Sequence, residues 1–163
     1  MRLEQIKLNS YIRPEVKENT SKNWVLNGNN NSFFQYIIDR YNGSPTNRAI
    51  IDSYSQFTYG KGLTSKEKNI KPMQYAMVLS ILPKKQLRPI VQDYCLYSES
   101  AMELIYKKGE LKQIIHIATN QIAPNKMNDE GDIDVYWYSQ DFSKVYTYPP
   151  IDIPAWKAGD EKR

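Results

Sequence analysis

The hydrophobic period of this chain changes near residue 100, and that change constrains the fold more than any single motif. Before it, apolar residues recur at helical spacing. Phe33, Tyr36, Ile37 and Tyr41 fall at i, i+3, i+4 and i+8. Ala49, Ile50, Tyr54 and Phe57 form a second such run, and Leu87, Ile90, Val91, Tyr94 and Cys95 the clearest one. After it, Met102, Leu104 and Tyr106 alternate with Glu103 and Ile105, the period of a strand. Helices followed by a small antiparallel sheet with a β-hairpin predict an α+β fold.

Punctuation sharpens the element boundaries. "NGNNNS" (27–32) reads as a turn without packing side chains, ending on Ser32 as the cap of a helix over 33–41 that Asn42-Gly43 stops. Ser44-Pro45 reads as an N-cap followed by proline at the first helical position, where its missing N–H costs nothing. Gly60 and Gly62 end that helix at about Tyr59. "MQYAMVLSIL" (73–82) predicts a short buried helix or a strand, with its residue spacing favouring helix. Pro89 inside the run 83–100 implies either a first-turn position or a kink. Lys108-Gly109 supplies the turn of a hairpin, and "NQIAPNKMNDEGD" a polar loop. "IDVYWYS" (133–139) predicts a third strand and "KVYTY" (144–148) a fourth. The proline-rich "PPIDIPAWKAGDEKR" is excluded as a central strand. The domain reading is a loosely ordered segment 1–32, one α+β domain over 33–156, and a polar tail 157–163.

At 163 residues the chain is long enough to build a core without covalent staples. Tyrosine outnumbers phenylalanine 13 to 4, which suits half-buried surfaces and interfaces more than a dry core. A net charge of +4 permits contact with nucleic acid without requiring it. The lone Cys95 cannot form an intramolecular disulfide, as expected in a reducing compartment. Met1 is followed by no apolar leader, and "YAMVLSIL" (75–82) is far shorter than the ~20 residues of a bilayer span. A soluble protein, intracellular or released by lysis, is therefore expected, with no membrane partner.

The residues that could carry chemistry do not form a reacting set. Gly60-Lys61-Gly62 misses the phosphate-loop pattern: Ser55 stands where its first glycine belongs, and no Ser or Thr follows the lysine. The stretch ends a helix, and phosphates bind helix starts. His116, the single histidine, sits in "IIHIA", with no orienting acid or nucleophile suggested by spacing. Cys95 falls on an apolar helix face, as a buried small hydrophobe would. "NDEGDID" (128–134) lacks the order of a calcium loop. The lysines of 61–71 and 84–88 could meet phosphates but lack interleaved aromatics. No residue is assigned to catalysis, a cofactor or a metal, and no enzyme is expected.

The order of these segments resembles that of the early part of tailed-bacteriophage portal proteins. "YNGSPTNRAIIDSYSQFTYGKGL" (41–63) resembles their Ser-Pro helix with a Gly-x-Gly exit. "LRPIVQDYCLYSESAMELIY" is similar to their helix feeding a strand, and "KKGELKQIIHIATNQIAP" to the hairpin that follows. Tyr138-Ser139-Gln140-Asp141-Phe142 stands where a Tyr-Ser-x-Asp-Trp turn is usual, with Phe142 in place of Trp. The resemblance spans about residues 24–156 and implies a portal wing-like fold and a structural virion protein. Its implied partners are neighbouring portal subunits in a dodecamer, terminase, head-completion and capsid proteins, and double-stranded DNA passing through the channel. The implied location is the virion, with host cytoplasm during assembly. Nothing after Trp156 could form a stem helix, so the chain is expected to be a wing portion that is mainly monomeric by itself. The competing reading is a small intracellular nucleic-acid-binding or regulatory module. A further expectation is that Leu104, Tyr106, Leu111 and Ile115 cover Ile90, Val91 and Tyr94.

Overall fold

Pro45 sets the geometry of the helical half. A residue before proline is driven out of the helical region. Ser44 accordingly has φ −128° and ψ 106°, breaking the chain between α1 (Ser32–Gly43) and α2 (Pro45–Tyr59). Ser44 Oγ accepts the Asn47 amide at 3.3 Å, so the predicted cap is formed. Gly60 leaves α2 at φ 52° with its amide on the Gln56 carbonyl, as the glycine exit requires. A computed structural model describes residues 17–18 and 23–157 of the chain.

The start of α1 differs from expectation. Its cap is Asn31, in the left-handed conformation, and Ser32 is the first helical residue. Gly43 closes α1 without a positive φ, because the Ser44-Pro45 step already stops the helix. The segment before it is not empty of packing side chains. Asn31 is buried, takes the Asn27 amide on Oδ1 and donates to the Asn120 carbonyl. Leu26 is a core residue. The loose ordering expected of residues 1–32 otherwise falls mostly on residues outside those described, as do residues 158–163 of the tail.

α3 (Pro72–Ile81) is a helix, but none of its residues is buried. Apolar side chains lie on several sides of it. Its half-buried Tyr75 and Leu79 form one side, α3 lies against the strand β4 (Glu110–Ile117), and the Tyr75 hydroxyl donates to the Leu63 carbonyl. α4 (Lys84–Tyr97) starts after Pro83, and Pro89 lies in its second turn rather than its first. Ser98 ends it in the left-handed region, donating to the Tyr94 carbonyl.

The β half comprises small antiparallel ladders instead of one sheet. β1 (Lys17–Glu18) pairs with β2 (Val25–Leu26). β3 (Ala101–Lys107) and β4 (Glu110–Ile117) form the predicted hairpin. Lys108 and Gly109 both have positive φ, 55° and 77°, the signature of a tight two-residue turn whose twist matches its strands. A register shift after Ile105 pairs Tyr106 with Leu111 and Leu104 with Ile114. Ile115 pairs with Glu103, so it lies on the other face from Leu104. The four residues expected on one face are all half-buried, but they do not share that face, and Tyr94 is exposed.

β5 (Ile122–Pro124), β6 (Val135–Tyr138) and β7 (Ile151–Pro154) make a three-stranded sheet in that order. β6 is the predicted third strand. β5 falls in what reads as a polar loop. The fourth strand is not at 144–148, where a 3-10 turn (Phe142–Lys144) runs into further turns, but at 151–154. β7 is an edge strand, where its proline leaves no gap in a central ladder. The fold is thus α+β. Its main apolar cluster joins Leu26, Ala123 and Phe142, with Trp24 and Trp137 packed on it at 5.3 Å between ring centroids. On the helical side Phe34 stands edge-on to Tyr97 at 5.3 Å, and Ile90 is buried.

Candidate functional site

Packing α4 against β4 creates one concentrated polar node. Asp93 Oδ2 lies 2.8 Å from His116 Nε2 and accepts both the amide and the hydroxyl of Thr119, at 3.3 and 3.1 Å. Two turns earlier on α4, Gln86 Oε1 accepts the His116 amide at 2.9 Å. His116 therefore has the orienting acid that its sequence neighbourhood did not suggest. Asp93 lies 23 residues away, and only tertiary packing brings it close. The geometry is that of a cross-tie. In a nucleophilic triad the hydroxyl donates to the imidazole, whereas Thr119 donates to the carboxylate. Tyr97, one turn beyond Asp93, is pushed up to about 12, chiefly by burial and secondarily by the Asp93 charge.

The other segments singled out in the sequence have structural surroundings too. Gly60 and Gly62 lie past the C-terminal end of α2 with positive φ, so they close a helix and do not open one. The loop 128–134 closes on Asn128, whose Oδ1 accepts the amides of Glu130 and Asp132. Lys157 and Asn128 hold Asp134 and keep its carboxyl below the usual range. Cys95 is half-buried. Ser139 is almost fully buried and donates to the Tyr148 carbonyl, while Asp141 caps the next turn by accepting from the Ser143 amide and hydroxyl. The turn 138–142 thereby drives Phe142 into the core beside Trp24, at 6.3 Å.

What stands out is the apolar surface. Among the described residues, fourteen large hydrophobic side chains are exposed and six apolar residues are buried. The exposed ones are grouped. Ile50, Tyr54 and Phe57 are 62, 64 and 85% exposed and form one stripe of α2 at i, i+4 and i+7. Met73, Met77 and Val78 expose the surface of α3, with Ile70 just before it. The α2 stripe is the face that its spacing marks as apolar, yet it points away from the chain's own core. The opposite face of α2, Arg48, Asp52, Ser55 and Tyr59, turns to α4. Exposed apolar stripes of this kind mark interaction surfaces. Periodicity located the stripe. It could not tell that the stripe faces outward.

Among the described residues no helix is long and apolar enough to cross a membrane. No protein-family model, curated protein or solved structure matches the chain.

Proposed function

We propose that the chain is a structural assembly subunit, and specifically the wing portion of a tailed-bacteriophage portal. In this reading it is built into the ring at the capsid vertex through which DNA is packaged and ejected. It acts by position, with no bond chemistry and no cofactor. Its place is the virion, and the host cytoplasm during assembly. Its partners are neighbouring portal subunits, terminase, head-completion and capsid proteins, and the DNA in transit.

The observation that carries the assembly role is the outward apolar stripe of α2, accompanied by the exposed Met73, Met77 and Val78 of α3. At roughly 200 Å² for a large side chain, the seven exposed residues of these two groups present roughly 900 Å². That matches the roughly 800 Å² per partner of an ordinary stable interface. Two separate apolar surfaces also suit a ring, in which one patch of each subunit meets a different patch of the next. The order of helix, hairpin and aromatic strand, with Phe142 anchored through its turn, supports the portal reading within that role.

Two experiments test it. Sedimentation of the chain over about 1–100 µM should give weak, concentration-dependent association, since roughly 25 cal/mol per Å² of apolar area covered drives it. Phe57→Asp should abolish this association without lowering the melting temperature. Association unchanged by the variant would remove α2 from the interface. The genomic neighbourhood tests the portal identity: a large terminase gene should lie beside the reading frame. A locus without phage morphogenesis genes would favour the small nucleic-acid-binding or regulatory module.

A further inference from the structure

The polar face of α2 and the facing side of α4 enclose a groove of about 470 Å³. Its chemistry is one-sided. Arg48 and Arg88 supply two positive charges, and Asp52 is the single acid lining it. Asp52 is already occupied: it accepts a hydrogen bond from the Tyr41 hydroxyl and lies 3.6 Å from Arg48 Nε. Arg88 has no such partner among the described residues. Its guanidinium rests over the Tyr59 ring, 5.9 Å from the centroid, leaving its hydrogen-bond donors free. Ser55 is buried, and its hydroxyl, like the amides of Gln56 and Gln92, has no partner among the described residues. An arginine fork and several uncommitted donors therefore converge on one space in which the only carboxylate is neutralised.

Arg88 also belongs to the most basic stretch of the chain. Residues 60–90 hold seven Lys and Arg against one Glu, while the whole chain has a net charge of +4. Everything outside that stretch is thus net negative. Lys84 precedes Arg88 by one helical turn, and its side chain and the ring end of Tyr59 both lie close to Gly62. Glu67, the one acid of the stretch, is paired with Lys71 at 2.8 Å.

We infer that the α2–α4 groove binds a phosphate group, with Arg88 as its principal ligand and Ser55, Gln56, Gln92 and Tyr59 as further donors. A tetrahedral anion with several acceptor oxygens satisfies this donor set better than a carboxylate does, and Arg is the side chain suited to it. Free phosphate and a nucleic-acid phosphodiester share that chemistry. Lys84, one helical turn before Arg88, is placed to meet a neighbouring phosphate, which favours the phosphodiester. The inference stands on the groove and holds whether or not the chain belongs to a portal.

The test uses the full chain. Fluorescence anisotropy with a random-sequence duplex of about 20 base pairs, at about 50 and 200 mM salt, reads the phosphodiester arm. Phosphorus NMR with inorganic phosphate reads the free-anion arm. Arg88→Gln should weaken duplex binding about tenfold and lower the salt slope by about one. Lys112→Gln, which removes the same charge from the hairpin, should change affinity less than about twofold. Gln92→Leu, which keeps every charge, should also weaken binding, separating a built site from general attraction. Circular dichroism and melting confirm that each variant folds. Phosphate binding that Arg88→Gln abolishes, without duplex binding, supports the site with free phosphate as its ligand and overturns the nucleic-acid extension. Equal effects of Arg88→Gln and Lys112→Gln, or no binding in either arm, would overturn the proposal.

Discussion

Among the described residues, Asp93 ties together the most hydrogen-bond donors through a single oxygen, three from two elements. Thr119 is buried, so truncating the carboxylate leaves its amide and hydroxyl without an acceptor. Asp93→Ala should therefore cost about 1–3 kcal/mol, read as a lower urea midpoint at unchanged m. Tyr97 predicts a pH effect. Its phenol titrates near 10 in the unfolded chain and is pushed up to about 12 in the fold. A raised folded value means that the stabilising contribution is full below pH ~10 and is lost as pH rises from there toward ~12. Tyr97→Phe keeps the edge-on contact with Phe34 and removes the ionisation. The difference in stability between wild type and variant should thus change between those pH values and be flat below them, as alkaline denaturation curves would reveal.

At the level of elements, α2 carries its own start and stop. Ser44, Pro45 and Gly60 act within a few residues of themselves, and none needs a tertiary partner to do so. Since the Ser44–Asn47 hydrogen bond is long and exposed, Ser44→Ala should cost about 1 kcal/mol or a little less. Thermal unfolding followed by circular dichroism would show it. The β3–β4 hairpin is equally local, because Lys108-Gly109 dictates the turn. The bulge after Ile105 is a different matter: it reassigns Ile115 to the opposite face, which alternation counted from the turn does not reveal. α3 shows the limit of propensity. Its residues make a helix, yet Tyr75, Leu79 and Ile81 are only half-buried, and Met73, Met77 and Val78 stay exposed.

Over the whole molecule, the chain divides its apolar side chains between a small core and an uncovered surface. The core depends on few residues, so each matters. Phe142 is nearly inaccessible among Leu26, Ala123 and the two tryptophans. Phe142→Ala should cost about 3–5 kcal/mol, and denaturant unfolding would measure it. The same loss from Phe57, which is exposed, should leave stability almost unchanged. That contrast separates residues that hold the fold from those that would hold a neighbour.

The amino-acid sequence alone determined the α+β class, the bounds of α2, the hairpin turn and the apolar stripe of α2. Each of these follows from covalent geometry or from a repeat a few residues long, so the information is local. Tertiary packing decided the rest. It brought Asp93 to His116 across 23 residues, drew the three-residue β5 and the proline-bearing β7 onto β6, and buried Asn31. It also chose which side of α2 meets α4. An amphipathic helix declares that it has an apolar face, but the apolar transfer contribution per unit area is alike whether the cover is the chain itself or another molecule. Here the polar face turns inward, onto the groove beside Arg88, and the apolar face of Ile50, Tyr54 and Phe57 turns outward.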